Sequence, residues 1–141
     1  MTGRLVCEFV VPGRAVPERK RQVPPRGSFH GSRVDTPEAK DYKALVKLAA
    51  AQAMDRRPPE AGAVRLDIRV ARAKPASWPK RRQYPTTKPD VENQVKIIAD
   101  ALNGIAYVDD AQICVLMAAK YLSEDGSEQV AVWVHALEAD R

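Results

Sequence analysis

Residues 64–71 read V-R-L-D-I-R-V-A, a strict alternation that sends Val64, Leu66, Ile68 and Val70 to one face of a strand and Arg65, Asp67 and Arg69 to the other. A period of two scatters apolar side chains around a helix, so this stretch is usable only as a half-buried strand. The rest of the 141 residues must supply its sheet partners and a layer to cover its apolar face.

Those partners are legible on both sides. Leu5 to Val11 is β-branched and aromatic and stops at Pro12-Gly13, which predicts a first strand. A loop rich in proline, glycine and basic residues is expected from there to about Asp35. Thr36 then offers a helix N-cap, with Pro37 at the first helical position and Glu38 in the first turn. The helix should run to about Met54 on an apolar stripe of Tyr42, Leu45, Val46, Ala49 and Ala53. After the alternating strand comes a second basic loop, residues 72–89, which holds no acidic residue. Residues 91–103 return to helical periodicity, with Val91, Val95, Ile98 and Leu102 on one side and Gly104 as a C′ glycine. Ile113 to Leu122 and Gln129 to Leu137 read as two more strands around a turn at Glu124 to Ser127. Both are apolar at nearly every central position, which implies burial on both faces or at a subunit interface. The order β-α-β-α-β-β predicts an α+β fold: a single small domain over residues 1–141, with a mixed sheet and two helices.

Composition limits the function classes. The net charge of +5 favours a polyanionic partner. Cys7 and Cys114 match no metal-ligand spacing and read as small buried hydrophobes in a reducing compartment. His30 and His135 have no ligand partners at useful spacing, so a zinc site is not expected. No apolar run approaches the ~20 residues of a membrane span, and Arg4 and Glu8 interrupt any signal-peptide pattern. A cytoplasmic protein without a membrane partner is the expectation.

Against that basic background, Asp90, Glu92, Asp100, Asp109 and Asp110 gather five of the 18 acidic residues around a lone Lys96. Glu92, Asn93, Lys96, Asp100 and Asn103 share the polar side of the second helix, and Asp90 sits at its N-terminus. A following strand that starts near Asp110 could return that carboxylate to the start of the helix. Carboxylates so placed suit a hard cation such as Mg²⁺, and a lysine beside them suits a phosphate oxygen. The same residues also admit a plainer reading: Asp90 as a helix cap, Glu92 at the helix dipole, Glu92–Lys96 and Lys96–Asp100 as surface ion pairs, and Asp109-Asp110 as a polar turn.

The pattern D90-x-E92-N93-x-x-K96-x-x-x-D100-A-L, followed by V108-D109-D110-A-Q112, resembles the signature of the RusA family of Holliday junction resolvases. The upstream segments P12-G-R-A-V-P-E-R-K-R21 and T36-P-E-A-K-D-Y42 are similar, more loosely, to that family's N-terminal proline-basic segment and first helix. The resemblance implies a small homodimeric endonuclease, dependent on Mg²⁺ with Mn²⁺ as a possible substitute, that cuts four-way DNA junctions symmetrically. By position it makes Asp90, Glu92 and Asp110 the metal-binding catalytic acids and Lys96 the catalytic lysine. Asn93, Asp100, Asp109 and Gln112 fall on its other recurring positions, in supporting roles. Glu92 departs from the pattern, standing where the family commonly has the shorter Asp.

The two loops carry the candidate DNA contacts: Arg19, Lys20, Arg21, Arg26 and Arg33 in the first, Lys74, Lys80, Arg81, Arg82 and Lys88 in the second. Trp78 and Tyr84 interleave with the second group and either stack on unpaired bases or pack on their own domain. Two other functions remain open from sequence: a nuclease for flaps or forks, and a non-catalytic nucleic-acid-binding module.

Overall fold

The computed structural model of the chain describes residues 3–28 and 30–138. Strands β1 (Arg4–Pro12), β4 (Val64–Ala73), β5 (Ile113–Ser123) and β6 (Gln129–Ala136) form one mixed sheet in the order β1-β6-β4-β5. β6 is antiparallel to both β1 and β4, whereas β5 runs parallel to β4. A parallel neighbour needs a crossover rather than a hairpin, and helix α2 (Val91–Ala101) lies within the β4–β5 connection. Helix α1 (Pro37–Met54) precedes β4 and packs on β1 and α2. The chain is therefore a small α+β domain with two helices and a mixed sheet.

The core lies between the sheet and these helices. Val64, Leu66, Ile68 and Val70 of β4 are all at most 1% exposed, as the alternation predicts. They meet Val130, Val132 and Val134 of β6, then Val46 and Ala50 of α1 and Ile97 and Ile98 of α2. Consecutive burial of Val6 and Cys7 is made possible by an irregularity in the β1–β6 register between Leu5 and Cys7. Burial pushes the Cys7 thiol up to about 11, so it stays protonated. Cys114, expected to be buried, is exposed instead because it lies on the edge strand β5.

Four other expectations are corrected. The first basic loop contains a two-stranded hairpin, β2 (Lys20–Val23) paired with β3 (Ser32–Asp35), outside the main sheet. Its prolines and charges mask the strand signal. Thr36 and Pro37 do start α1, and the Thr36 hydroxyl accepts from the Ala39 amide. The helix, however, buries Ala39, Tyr42, Val46, Ala50 and Met54 and leaves Leu45 and Leu48 more than half exposed. Apolar residues surround its C-terminal half, so no single apolar stripe marks the buried face there. α2 is likewise rolled: Gln94, Ile97, Ile98 and Ala101 are buried, whereas Val91 and Val95 are only half-buried. Finally, β5 and β6 are not paired with each other. β4 lies between them, so β6 is central and alternates in burial, while β5 is an edge strand with Leu116 and Met117 exposed.

Candidate active site

The polar face of α2 is set by its entry and by its exit. At the entry, Lys120 of β5 donates to the carbonyls of Thr87 (2.8 Å) and Pro89 (3.1 Å), fixing the chain immediately before Asp90. Asp90 is the N-cap residue by backbone conformation, yet its side chain makes no cap hydrogen bond. It meets the highly exposed Lys88 at 3.2 Å instead. Glu92 and Lys96 follow on the exposed side of the helix, and neither forms a hydrogen bond or ion pair with any described residue. Of the plain reading, the side-chain cap and the i,i+4 ion pairs are absent among the described residues, whereas Glu92 keeps its place in the first turn of the helix.

At the exit, Gly104 has φ +76°, a conformation glycine reaches without a Cβ penalty, and its amide donates to the Tyr107 carbonyl at 2.7 Å. Tyr107 is fully buried, and its hydroxyl donates to the Ala99 carbonyl at 2.7 Å, satisfying an acceptor in the last turn of α2. Burial pushes the Tyr107 phenol up, and the negative charges of Asp110 and Asp100, then Asp109, add to it. Asp109 caps a short 3₁₀ turn, Asp110–Gln112, by accepting from the Ala111 amide, while Gln112 accepts from the Asp109 amide in return. Gln112 also donates to the Glu60 and Gly62 carbonyls at 2.7 and 2.8 Å, tying the turn to the segment that enters β4. Asp110 is exposed and its carboxylate forms no hydrogen bond or ion pair with a described residue.

The recurring residues thus divide into two groups. Asp100 is engaged by Lys43, Asp109 and Gln112 by the 3₁₀ turn, and half-buried Asn93 is tied through its backbone carbonyl, which accepts from the Glu18 amide at 3.0 Å. Glu92, Lys96 and Asp110 are exposed and engaged by no described residue, and half-buried Asp90 meets only the exposed Lys88. The donor set fits a hard divalent cation in kind, being carboxylate oxygen only. It is not a closed cage: among the described residues no three His, Cys, Asp or Glu side chains stand close enough to hold a metal ion together. A site completed by water and substrate oxygens has that open character.

The candidate DNA contacts also divide. Arg19, Arg21, Arg26 and Arg33 are exposed, but Lys20 lies 2.6 Å from Asp35. In the second loop Lys80, Arg81, Arg82 and Lys88 are exposed, whereas Lys74 donates to the Lys80 carbonyl. The Arg82 guanidinium sits 4.6 Å from the Trp78 ring centre, so Trp78 packs within its own loop, and Tyr84 is the exposed aromatic, at 62%. Sequence reasoning missed Lys43, Asp35, Lys120 and Tyr107. A lysine in line with Tyr42 and Val46 on α1 was the one available hint of the first.

Residues 12–134 match the endodeoxyribonuclease RusA family. The chain is also 34% identical over 140 residues to the uncharacterized protein YqaN of Bacillus subtilis (strain 168), an alignment covering 89% of this chain and 94% of that one. A family match over most of the chain, spanning the acidic helix and the 3₁₀ turn, establishes that this protein belongs to the RusA endodeoxyribonuclease family.

Proposed function

We propose that the protein resolves four-way DNA junctions by paired phosphodiester cuts, as a homodimer that requires Mg²⁺ or, in its place, Mn²⁺. The observation that carries this reading is the division just described: Asp90, Glu92, Lys96 and Asp110 remain available, whereas their neighbours in the signature serve the scaffold. Charged groups left unpaired, or in the case of Asp90 held only by an exposed lysine, beside a heavily tied backbone are what a site awaiting an ionic substrate requires.

Asp90 and Asp110 would hold the cation, with Glu92 completing or orienting the site. When bound, the cation lowers the pKa of water and offsets charge on the phosphate. Lys96 would donate to a non-bridging phosphate oxygen or to the departing 3′ oxygen as charge develops there. In-line attack by water forms one P–O bond as the bond to the 3′ oxygen breaks, leaving 5′-phosphate and 3′-hydroxyl ends. The exposed arginines and lysines of the two loops would grip the backbone without reading sequence.

The dimer is supported by the open face of the sheet. Leu5, Met117, Tyr121 and Trp133 line a concavity of about 900 Å³ there, along with Glu8, Asp67, Arg65 and Arg69. Two acids balanced by two arginines suit a second copy of the chain better than a polyanion, and two active sites match the two cuts a symmetric junction needs. Nicking of a synthetic four-way junction, a flap and a fork in parallel, with and without Mg²⁺, tests the reading. Metal-dependent paired cuts in the junction are expected. Equal cutting of flap and fork would make it a general branch nuclease, and binding without any cutting a non-catalytic module.

A further inference from the structure

The β2–β3 hairpin has no core of its own. Every described residue of its two strands is exposed or half-buried, and an isolated two-stranded ribbon is marginal in water. Its attachment runs instead through a chain of charges. Lys20 of β2 lies 2.6 Å from Asp35 Oδ1 of β3, Asp35 Oδ2 accepts from Lys43 Nζ of α1 at 2.9 Å, and the same Nζ donates to Asp100 Oδ2 of α2. Asp100 Oδ1 meanwhile takes Asn103 Nδ2 at 3.4 Å. Two backbone bonds run alongside, from the Glu18 amide to the Asn93 carbonyl and from the Thr36 amide to the Arg19 carbonyl, each 3.0 Å.

Lys43 is the unusual member, only 9% exposed on the buried side of α1. A buried ammonium is tolerated only when its partners are in place. Burial pulls the Lys43 pKa down, but Asp100 and Asp35 outweigh it and the net shift is upward. Asp35 is held below the usual carboxylate range by Lys20 first and Lys43 second. Asp35, Lys43 and Asp100 line a cleft of about 960 Å³ together with Arg21, Lys40, Asp41 and Lys47.

We propose that Lys43, clamped between Asp35 and Asp100, is a positioning residue that fixes the basic hairpin against α2, so that DNA held by the hairpin meets the Asp90–Lys96 face in register. Asp100 on this account serves the hairpin and not the metal, although it belongs to the acidic signature. The inference rests on the nuclease reading for its catalytic consequence, but the docking of the hairpin can be read without any catalysis. A misplacement of about 1 Å can lower a rate by about 100-fold while leaving the contacts that give affinity in place.

The test compares the full-length wild type with Lys43→Met, Asp100→Asn and the double variant. Hydrogen–deuterium exchange of residues 20–35 is measured without DNA or metal. Junction dissociation constants and single-turnover cleavage across a Mg²⁺ titration follow. Expected results are hairpin exchange at least ~10-fold faster, kcat lowered ~10- to 100-fold, Kd within ~3-fold and an unchanged half-saturating Mg²⁺ concentration. The double variant should be no worse than the poorer single one. Lys20→Met, at the more exposed end, keeps the test open if Lys43→Met does not fold, and should also speed hairpin exchange. Unchanged exchange in folded variants overturns the network. A raised Mg²⁺ requirement in Asp100→Asn alone makes Asp100 a metal ligand and overturns its assignment. A wild type that cuts no DNA would sink the nuclease reading and the catalytic half of this inference, while the exchange result still decides the docking.

Discussion

Replacing Gln112 with alanine should destabilise the protein without touching a metal-binding group. The side chain donates to the Glu60 and Gly62 carbonyls and accepts from the Asp109 amide, at 2.7, 2.8 and 2.9 Å. Each bond contributes ~1 kcal/mol net, which sets a ceiling of ~3 kcal/mol. Gln112 is half-buried, so water replaces part of what is lost and ~2 kcal/mol is the expected cost. For a chain of this size that corresponds to a fall in Tm of ~5–10 °C. Gln112→Glu should cost at least as much, since it loses both donors and sets a carboxylate against two carbonyl oxygens. Urea unfolding followed by circular dichroism, in the absence of DNA and metal, measures both. A cost under ~0.5 kcal/mol for Gln112→Ala would refute the scaffold role and return Gln112 to the candidate chemical groups.

Three further outcomes follow from the same structure. Alanine at Lys80, Arg81 and Arg82 should weaken junction binding and reduce the slope of log K against log salt by ~2–3, measured by fluorescence anisotropy; an unchanged slope removes this loop from the DNA footprint. Asp35 has a lowered pKa, so its stabilisation is complete above its unfolded value of about 3.9 and is lost as pH falls through the lower folded value. Lys43 has a raised pKa, so its contribution is present below about 10.4 and is lost as pH rises through the higher folded value. Hairpin exchange in the intact protein, corrected for the intrinsic pH dependence of exchange, should therefore gain speed at both extremes and not between pH 5 and 9. Lys120→Met should free the Thr87 and Pro89 carbonyls, lower Tm by a few degrees and lower kcat ~10-fold through the displaced Asp90; a full-rate variant would show that this tether does not position the site.

The parts of the fold legible in the sequence are those with a single period. Residues 64–71 could only be a strand, and Thr36-Pro37 could only open a helix at one place. Faces were harder wherever more than one was apolar: the Ala-rich half of α1 hid the choice between Leu45 and Ala50. In α2 the buried Gln94 is a residue no hydrophobic pattern selects. The hairpin was invisible because what anchors it is four charges on four elements, separated by up to 80 positions between Lys20 and Asp100. For the site, the spacing marked Glu92, Lys96 and Asp110, which no described residue pairs, and Asp90, which meets only the exposed Lys88. Sequence could not separate them from Asp100 and Asp109, because that distinction lies in partners such as Lys43 and the Ala111 amide.

The central claim is that an unpaired carboxylate on the 3₁₀ turn acts with those at the start of α2 in metal-dependent cutting. Asp110→Asn tests it most directly, because Asp110 makes no hydrogen bond or ion pair with a described residue whose loss would disturb the fold. With Mg²⁺ and a synthetic four-way junction, the wild type should give paired nicks. Asp110→Asn should bind the junction within ~3-fold of wild type, unfold at the same temperature and cut at least ~1,000-fold more slowly, a loss of ~4 kcal/mol in transition-state stabilisation. Cleavage by Asp110→Asn at near the wild-type rate would contradict the account.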